Sequence, residues 1–356
     1  MQQQSTKSDP DNSASIPPFD EIEKVFLDAG ATPDQLEDIE WLVDYAATEK
    51  LTTFAALAKA IGVSAATVSK VLRGKYAAAI GSFCATIENF RAQAKEQQDL
   101  GSVVYVPQLS VVRRITQFCD LTRITKQIGI IWGKNQSGKT KALKYYADNT
   151  PMTAYCKLPA GGATKPSMKR LALARGGIST RKSYEELREV ILQRFNPLWL
   201  PIADEFHQTI KGTTRGHSFR SVTIDRFREV RDECGCGLVI CGTDQLPEMM
   251  EDERFKDFLG QVGNRGVLRM RIPTAPTKKD IELLAGAYGF EGEPIGNTAA
   301  IVRQIANENG IGKLSGYFAV ARRLANKAHT RLTWKHFDTT HSTLASWAEG
   351  KFEEAA

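Results

Sequence analysis

Eight residues from Gly133 to Thr140, with the sequence GKNQSGKT, match the pattern GxxxxGK[ST] in full. An apolar run precedes them and a helical pattern follows, which is the context that a phosphate-binding loop requires. Gly138 lets backbone N–H groups approach a phosphate, and the N-terminus of the next helix adds a partial positive charge. Lys139 is expected to reach the β- and γ-phosphates of a nucleotide, and Thr140 is expected to ligate Mg²⁺. The residues predicted to contact the nucleotide are Gly133, Asn135, Ser137, Gly138, Lys139, Thr140 and Lys141.

A second group of residues suited to chemistry lies in PLWLPIADEFHQ, residues 197–208. Apolar residues lead to Asp204 and Glu205 at the carboxyl end of a predicted strand, where open α/β sheets bind ligands. Asp204 is expected to hold Mg²⁺, directly or through water, and Glu205 to orient and deprotonate an attacking water. A surface acid pair at a strand end is the alternative. Pro201 counts against a central strand, because proline lacks an N–H donor.

Two further positions complete the predicted reaction centre. The run GLVICGTDQL, residues 237–246, leads to Thr243, whose hydroxyl would lie between the acid pair and the γ-phosphate; a simple turn residue is the alternative. An arginine from a neighbouring subunit often neutralises charge in such reactions. Arg265 is preferred for this role over Arg254 and Arg269, although no spacing rule selects it. The predicted catalytic residues are Asp204, Glu205, Thr243 and Arg265, and the predicted metal ligands are Thr140 and Asp204.

Residues 52–76, TTFAALAKAIGVSAATVSKVLRGKY, have the pattern of a helix-turn-helix. Gly62 permits the turn, and Lys70 and Arg73 are expected to reach DNA phosphates. Two alternatives stay open: a helical bundle with a fortuitous turn, and a helix-turn-helix that contacts protein, because the exposed face lacks residues that read bases. The second helix is expected to bury Val68, Val71 and Leu72 and to expose Ser64, Ala65, Ala66, Thr67, Ser69 and Lys70.

Two basic stretches lie near the predicted reaction centre. Residues 164–183 contain no acidic residue, and residues 207–220 begin two residues after Glu205. Basic residues in these places are expected to track a DNA backbone, and solvated charge on a helix and a loop is the alternative. The residues predicted to bind DNA are Lys165, Lys169, Arg170, Arg175, Arg181, Lys182, Lys211 and Arg215, together with Lys70 and Arg73.

The chemical groups require a scaffold in which strands alternate with helices. Five apolar runs separated by amphipathic stretches predict a buried parallel sheet in an α/β domain. From Thr277 onward helical patterns return and predict a helical C-terminal subdomain. The five runs are residues 127–133, 152–158, 198–204, 237–243 and 267–273. The predicted regions are a disordered tail (1–18), a helical domain with the helix-turn-helix (19–105), the α/β core (106–275), and a helical lid with the C-terminal tail (276–356).

Composition limits the class of protein. Hydrophobic residues make up 42% of the chain and charged residues 25%, as in soluble globular proteins. No run approaches the roughly 18 apolar residues that cross a bilayer, and no export signal is recognisable, so a cytoplasmic location without membrane contact is expected. The six cysteines form no CxxC pair and are expected to be reduced thiols. The net charge is −9 over residues 1–51 but about +12 over residues 109–356, which favours an anionic partner.

The P-loop, the Asp204–Glu205 pair, the polar strand end and the helical C-terminal region together resemble the AAA+ ATPase superfamily over residues 109–345. The resemblance implies an α/β P-loop NTPase (AAA+) with a parallel sheet and a helical C-terminal lid. The pattern of residues 52–76 adds a separate all-α N-terminal helix-turn-helix domain. It implies Mg²⁺-dependent ATP hydrolysis and assembly into rings or helices whose central channel faces the two basic stretches. The superfamily usually carries a basic lid residue that touches the nucleotide. GIGKLSG (310–316) offers Lys313, and the expected arginine is absent.

An N-terminal repressor-like helix-turn-helix fused directly to a compact AAA+ module resembles the phage Mu B transposition protein family. This resemblance implies largely non-sequence-specific, ATP-dependent binding to double-stranded DNA by a homo-oligomeric filament. It also implies delivery of the target DNA to a transposase, with hydrolysis controlling disassembly. Two other classes stay open: a helicase loader or replication initiator on the same ATPase fold, and a transcription regulator that only senses ATP.

Overall fold

The structure is a computed structural model of the chain. It describes residues 15–75, 80–99, 104–159, 164–174, 183–209, 222–247 and 267–351. The chain divides into two compact units, residues 1–100 and residues 101–356. Within the described residues, no single helix has both the length and the apolar composition to cross a membrane, and one bent pair, Phe54–Ile61 with Ala65–Leu72, meets that test by length and composition only.

The first unit is helical in its described part. Its helices are α1 (Phe19–Asp28), α2 (Pro33–Thr48), α3 (Phe54–Ile61), α4 (Ala65–Leu72) and α5 (Ile80–Asp99). Three of them begin at hydroxyl caps, because Thr32, Thr53 and Ser64 each accept a hydrogen bond from the N–H three residues later. The apolar faces of all five helices pack into one core that includes Phe26, Leu42 and Ile87.

Helices α3 and α4 are joined by a short turn at Gly62, and α4 is bent by 111° from α3. Val68, Val71 and Leu72 are buried, as the sequence predicts. The expectation that Ser69 is exposed is wrong, because only 2% of this residue is exposed. Ser69 lies one turn before Leu72 and therefore shares its buried side of the helix.

Residues 15–18 belong to the stretch that the sequence predicts to be a tail. In the structure, Ser15 forms an isolated β-bridge with Thr53, and the N–H of Ile16 donates to the carbonyl oxygen of Thr52 at 3.3 Å. Ile16 also packs against the helical core. These residues thus have a defined place beside the start of α3.

The second unit is built on a parallel sheet of five strands within the described residues. They are β1 (Ile128–Trp132), β2 (Thr153–Lys157), β3 (Leu200–Asp204), β4 (Leu238–Gly242) and β5 (Val267–Arg271), in the order β2-β3-β4-β1-β5. All neighbouring strands run parallel, which confirms the predicted sheet. Pro201 lies within β3, and the pairs with β4 start one residue later at Ile202, so the strand is central in spite of its proline.

Helices cover both faces of this sheet, because alternate strand residues point to opposite sides. Ile130 and Ile240 lie in the apolar cluster of one face, and Ile131 and Cys241 lie in the cluster of the other face. The first cluster includes side chains of α8 (Thr164–Leu173), α9 (Tyr184–Arg194) and α10 (Val222–Cys234); the second includes those of α6 (Ser110–Thr125) and α7 (Lys139–Asn149). The six cysteines are free and buried.

Three helices follow β5 and pack on the second cluster: α11 (Lys278–Tyr288), α12 (Gly296–Lys327) and α13 (Trp334–Ala348). Stacked and edge-on rings hold them together, with Phe290 and Trp334 stacked at 4.4 Å and Phe318 edge-on to Phe337 at 5.8 Å. Helix α12 is interrupted at Gly310, whose φ of 81° and ψ of 175° are not helical. The interruption divides α12 into one helical segment before Gly310 and one after it.

Candidate functional site

A cavity of about 910 Å³ lies at the carboxyl ends of the central strands. The sheet order places β4 between β1 and β3, so the loops that follow these three strands meet at one edge. Its wall is formed by residues 134–141 after β1, residues 204, 205, 207 and 208 after β3, residues 242–245 after β4, and residues 312, 315 and 316 of α12. The P-loop, the acid pair and Thr243 therefore line the same space.

Lys139 is the first residue of α7, and only 8% of it is exposed. Its Nζ donates hydrogen bonds to Gly133 O at 2.8 Å, Lys134 O at 2.7 Å and Ser137 Oγ at 3.1 Å. Gly138 has a φ of 90° and makes the left-handed turn into the helix. Burial lowers the pKa of Lys139, and nearby acidic groups offset only part of this effect. The ammonium thus donates its hydrogen bonds to acceptors of its own loop, and phosphate oxygens can take their place.

Asp204 ends β3 and is 2% exposed, so it is not a surface acid. Its Oδ2 accepts a hydrogen bond from the Tyr155 hydroxyl at 2.9 Å, and its Oδ1 accepts one from the backbone N–H of Glu205 at 2.8 Å. Burial and the Asp204 carboxylate raise the pKa of Tyr155, which keeps this phenol a neutral donor. Two donors therefore fix the orientation of the Asp204 carboxylate.

Glu205 lies at the mouth of the cavity, with 27% of its side chain exposed. Its backbone φ of 57° is left-handed, which is uncommon for a residue with a side chain. Its Oε1 lies 3.8 Å from Lys157 Nζ, and its Oε2 lies 3.5 Å from His207 Nε2. The carboxylate is therefore engaged by two neighbours, which compete with a water for its oxygens.

Thr243 follows β4 and faces the same cavity. Its Oγ1 is buried and has no hydrogen-bond partner among the described residues, which is costly unless a ligand supplies one. Thr140 and Asp204 offer hydroxyl and carboxylate oxygens, the kind of ligand that Mg²⁺ prefers. No cluster of three or more His, Cys, Asp or Glu suited to a metal occurs in the described ranges. The donor set thus fits a Mg²⁺ that shares its coordination with phosphate oxygens and water.

The other predicted P-loop residues line the cavity too. Asn135 and Lys141 are exposed, and Ser137 is buried. Although Lys141 is exposed as a whole, partial desolvation of its ammonium lowers its pKa. The structure therefore brings the other predicted P-loop residues, the acid pair and Thr243 together around one space. Gly133 does not line this space, but its carbonyl oxygen accepts a hydrogen bond from Lys139 Nζ.

The predicted DNA contacts are only partly described. Lys165 and Arg170 are exposed on α8, and Lys169 is half-buried. The guanidinium of Arg170 donates to the carbonyl oxygen of Lys157. In the first unit Lys70 is exposed, and Arg73 lies over the ring of Phe54 at 5.1 Å. Predicted residues outside the described part of the chain are Arg175, Arg181, Lys182, Lys211, Arg215 and Arg265.

Sequence reasoning missed Tyr155, Lys157 and His207. Lys157 ends β2 and pairs in register with Asp204, so its position one strand away from the acid pair is a consequence of sheet order. Tyr155 precedes it by two residues and so lies on the same face of β2. The polar residues at the end of the apolar run 152–158 could have indicated that this strand contributes to a site. The sequence does not indicate which strand lies beside β3.

No protein-family model matches this sequence, and no curated protein matches it. Among solved structures, the chain is similar to the Walker-type ATPase PABY2304 of Pyrococcus abyssi, with a TM-score of 0.40 and 12% sequence identity, covering 70% of this chain and 74% of that chain. The P-loop after β1, the acid pair after β3 and the parallel sheet give this chain the fold of an α/β P-loop NTPase.

Proposed function

We propose that this chain is a Mg²⁺-dependent ATPase that couples ATP to its hold on double-stranded DNA. One arrangement supports the ATPase assignment above all: Lys139, the Asp204–Glu205 pair and the partnerless hydroxyl of Thr243 line one cavity. Phosphoryl transfer needs cations and donors on the phosphates and a base for water, and these side chains supply both.

A nucleotide fits the surroundings better than inorganic polyphosphate. A narrower cavity of about 70 Å³ adjoins the P-loop at Ser137. Val111 and Ile311 each have a methyl carbon 3.4 Å from the position of a Cβ on Gly138. An apolar lining of this kind suits a flat base, provided that the cavity widens on binding. Its apolar side chains are Leu109, Val111, Ile272, Pro273, Ala275, Pro276 and Ile311.

The proposed reaction is hydrolysis of ATP to ADP and phosphate. Lys139 exchanges its backbone carbonyl partners for β- and γ-phosphate oxygens, and Thr243 donates its hydroxyl to the γ-phosphate. Thr140 and Asp204 would hold Mg²⁺, which would neutralise phosphate charge. Glu205 leaves Lys157 or His207, accepts a hydrogen bond from water and takes its proton as the water oxygen bonds to the γ-phosphorus. The bond between that phosphorus and the β–γ bridging oxygen breaks, and ADP leaves.

The transition state also needs a cation beyond the P-loop lysine. Arg265 is our candidate and would act on the site of a neighbouring subunit, which requires a homo-oligomer in the form of a ring or a filament. An assembly of this kind gives hydrolysis a means of controlling disassembly.

DNA is proposed as the polymer on which the protein assembles. Lys165 and Lys169 lie one turn apart on α8, in a stretch of the sequence without acidic residues. Lys70 on α4 adds an exposed cation in the first unit. Phosphate contacts of this kind give binding that is largely independent of base sequence. Delivery of this DNA to a transposase is the role that the Mu B resemblance favours.

Two other functions make different predictions. A helicase loader or replication initiator would prefer origin DNA or a helicase partner. A transcription regulator that senses ATP would bind one operator with negligible turnover, and the 111° bend between α3 and α4 is the feature that favours it.

Two variants test the ATPase proposal. Lys139→Ala should abolish ATP binding, because the charge on the phosphates loses its main partner. Glu205→Gln should keep binding but lose turnover, measured as phosphate release at saturating ATP. Normal turnover in Glu205→Gln would refute the assignment of the base.

Electron microscopy of the protein with ATP and random duplex DNA separates the DNA-related roles. Continuous filaments are expected, and Glu205→Gln should keep them longer than the wild type because hydrolysis cannot discharge them. Isolated dimers on one sequence would contradict the transposition role and favour the regulator.

A further inference from the structure

The break in α12 lies directly against the phosphate-binding loop. At Gly310 the backbone leaves the helical conformation, and the second half of the helix starts again at Ile311. The N–H of Gly312 donates to the carbonyl oxygen of Gln136 at 2.8 Å. Three consecutive residues, Gly310 to Gly312, therefore bring the lid onto the loop that would hold the phosphates.

This contact leaves no room for side chains at the two glycines. A Cβ on Gly310 would lie 2.8 Å from the carbonyl oxygen of Gln136. A Cβ on Gly312 would lie 2.9 Å from the same oxygen and 2.4 Å from Gln136 Oε1. Ile311, between them, packs beside Gly138 and lines the narrow cavity. Backbone meets backbone here, which only residues without a Cβ allow.

The loop side of the contact is conformationally demanding as well. Gln136 has a φ of 65°, in the left-handed region that residues with side chains seldom adopt. Its carbonyl oxygen accepts a hydrogen bond from the Gly312 N–H of the lid. Within the loop, Lys139 Nζ donates to the carbonyl oxygens of Gly133 and Lys134. The lid therefore supports the turn that shapes the phosphate-binding loop.

The exposed cation next to this contact takes no part in it. Lys313 directs its Nζ to Asn309 Oδ1 at 3.3 Å and is not among the residues that line the cavity. The basic lid residue that the superfamily resemblance implies is thus replaced, at this place, by a backbone contact.

We propose that Gly310-Ile311-Gly312 docks the lid onto Gln136 and that this docking sets the affinity of the site for ATP. Gly310 and Gly312 are positioning residues, which act through the loop and not on the substrate. If the loop holds its binding shape only while the lid is docked, the apparent dissociation constant for ATP is the intrinsic constant divided by the docked fraction. Undocking therefore weakens ATP binding. By reciprocity, bound nucleotide strengthens lid docking. The inference rests on the proposed ATP site.

The test compares two glycine-to-alanine changes in lid helices. Gly312→Ala introduces the short contacts with Gln136. Gly286→Ala in α11 places its Cβ where nothing lies within 4 Å. Both changes gain the same helix propensity, so their difference reports the loop contact. Equilibrium binding of a fluorescent ATP analogue should weaken at least tenfold in Gly312→Ala and by less than twofold in Gly286→Ala.

A second background separates the backbone contact from the side chain of Gln136. Gln136→Ala removes Oε1 but keeps the backbone carbonyl oxygen, which lies 2.9 Å from a Cβ on Gly312. Gly312→Ala should therefore weaken binding by a similar factor in both backgrounds. A much smaller factor in the Gln136→Ala background, or equal affinities of Gly312→Ala and the wild type, would overturn the proposal.

The exposed Lys313 keeps the proposal testable if Gly312→Ala does not fold. Lys313→Ala should bind the analogue within twofold of the wild type, and a tenfold loss would show that a cation, not the backbone, makes the lid contact. Failure of the wild type itself to bind would instead refute the proposed ATP site.

Discussion

Lys157 and Glu205 form an ion pair between neighbouring strand ends, with 3.8 Å between Nζ and Oε1. The pair exists because β2 and β3 run parallel in a register that places Lys157 beside Asp204. His207 Nε2 approaches the other oxygen of the same carboxylate at 3.5 Å. The residue assigned as the base is therefore engaged by a protein group on each carboxylate oxygen, and both groups compete with a catalytic water for it.

Loss of Lys157 should speed hydrolysis. Lys157→Ala removes a partner that competes with water for Glu205, and an ion pair this exposed contributes at most about 1 kcal/mol. The turnover rate should therefore rise by up to about fivefold with little change in KM. Lys144→Ala, an exposed change on α7, is the control and should match the wild type. A fall in turnover would mean that Lys157 assists Glu205 instead of restraining it.

Tyr155→Phe should weaken the response to Mg²⁺. The phenol orients Asp204, and loss of such a supporting hydrogen bond typically costs about 10- to 100-fold in metal affinity or activity. Titration of ATPase activity with Mg²⁺ should show a half-saturation point raised by about tenfold or more. Because the pKa of Tyr155 is raised, the effect should be the same from about pH 6 to about pH 9. Tyr145→Phe, which leaves Asp204 untouched, should titrate like the wild type.

The affinity for ATP should fall as the pH becomes alkaline. The phosphates favour the ammonium form of Lys139, whereas burial lowers the pKa of this lysine from its ordinary value of 10.5. Binding is therefore strongest below the lowered pKa and is lost as the pH rises through it. The same shift means that the unfolded chain binds more protons, so the nucleotide-free protein gains stability over that interval. A dissociation constant that stays flat up to pH 10.5 would contradict the lowered pKa.

Much of the fold could be read from local sequence, because its signals are local. The glycines and lysine of the P-loop, the acids after an apolar run and the period of the strands each lie within a dozen residues. The partners of Glu205 could not be predicted, since they depend on which strand lies beside β3. The docking of Gly312 on Gln136 joins residues 176 positions apart and depends on the lid's packing. Arg73 shows a third limit, because the same cation that could reach a phosphate also lies over the Phe54 ring.

Asp280 should be an acid-sensitive anchor of the lid. Its carboxylate accepts hydrogen bonds from the N–H and hydroxyl of Ser110, both at 2.6 Å, and from the N–H and hydroxyl of Thr277 at 3.0 and 2.8 Å. Burial alone would raise the pKa of Asp280, but these donors outweigh it and hold the pKa below its ordinary 3.8. The contribution to stability is therefore complete above pH 3.8 and is lost as the pH falls from there through the folded pKa.

The measurement for this anchor is urea unfolding of the full chain. Asp280→Asn should lower the free energy of unfolding at neutral pH by about 2 kcal/mol or more, because all four donors lose a charged acceptor and at least one of them meets an amide NH₂ group. The difference from the wild type should shrink in acid. Asp148→Asn, an exposed change on α7, is the control and should stay within about 0.5 kcal/mol. A difference that does not depend on pH would show that the charge of Asp280 is not what anchors the lid.

The salt dependence of DNA binding should report the two lysines of α8. Each phosphate contact to duplex DNA contributes about 0.9 to the slope of log affinity against log salt. Lys165→Gln with Lys169→Gln should therefore reduce this slope by about 1.8 and weaken binding about equally for all sequences. Lys327→Gln with Lys335→Gln removes the same charge from exposed positions on α12 and α13 and should leave the slope unchanged. Equal slopes for the two double variants would mean that α8 does not lie on the DNA backbone.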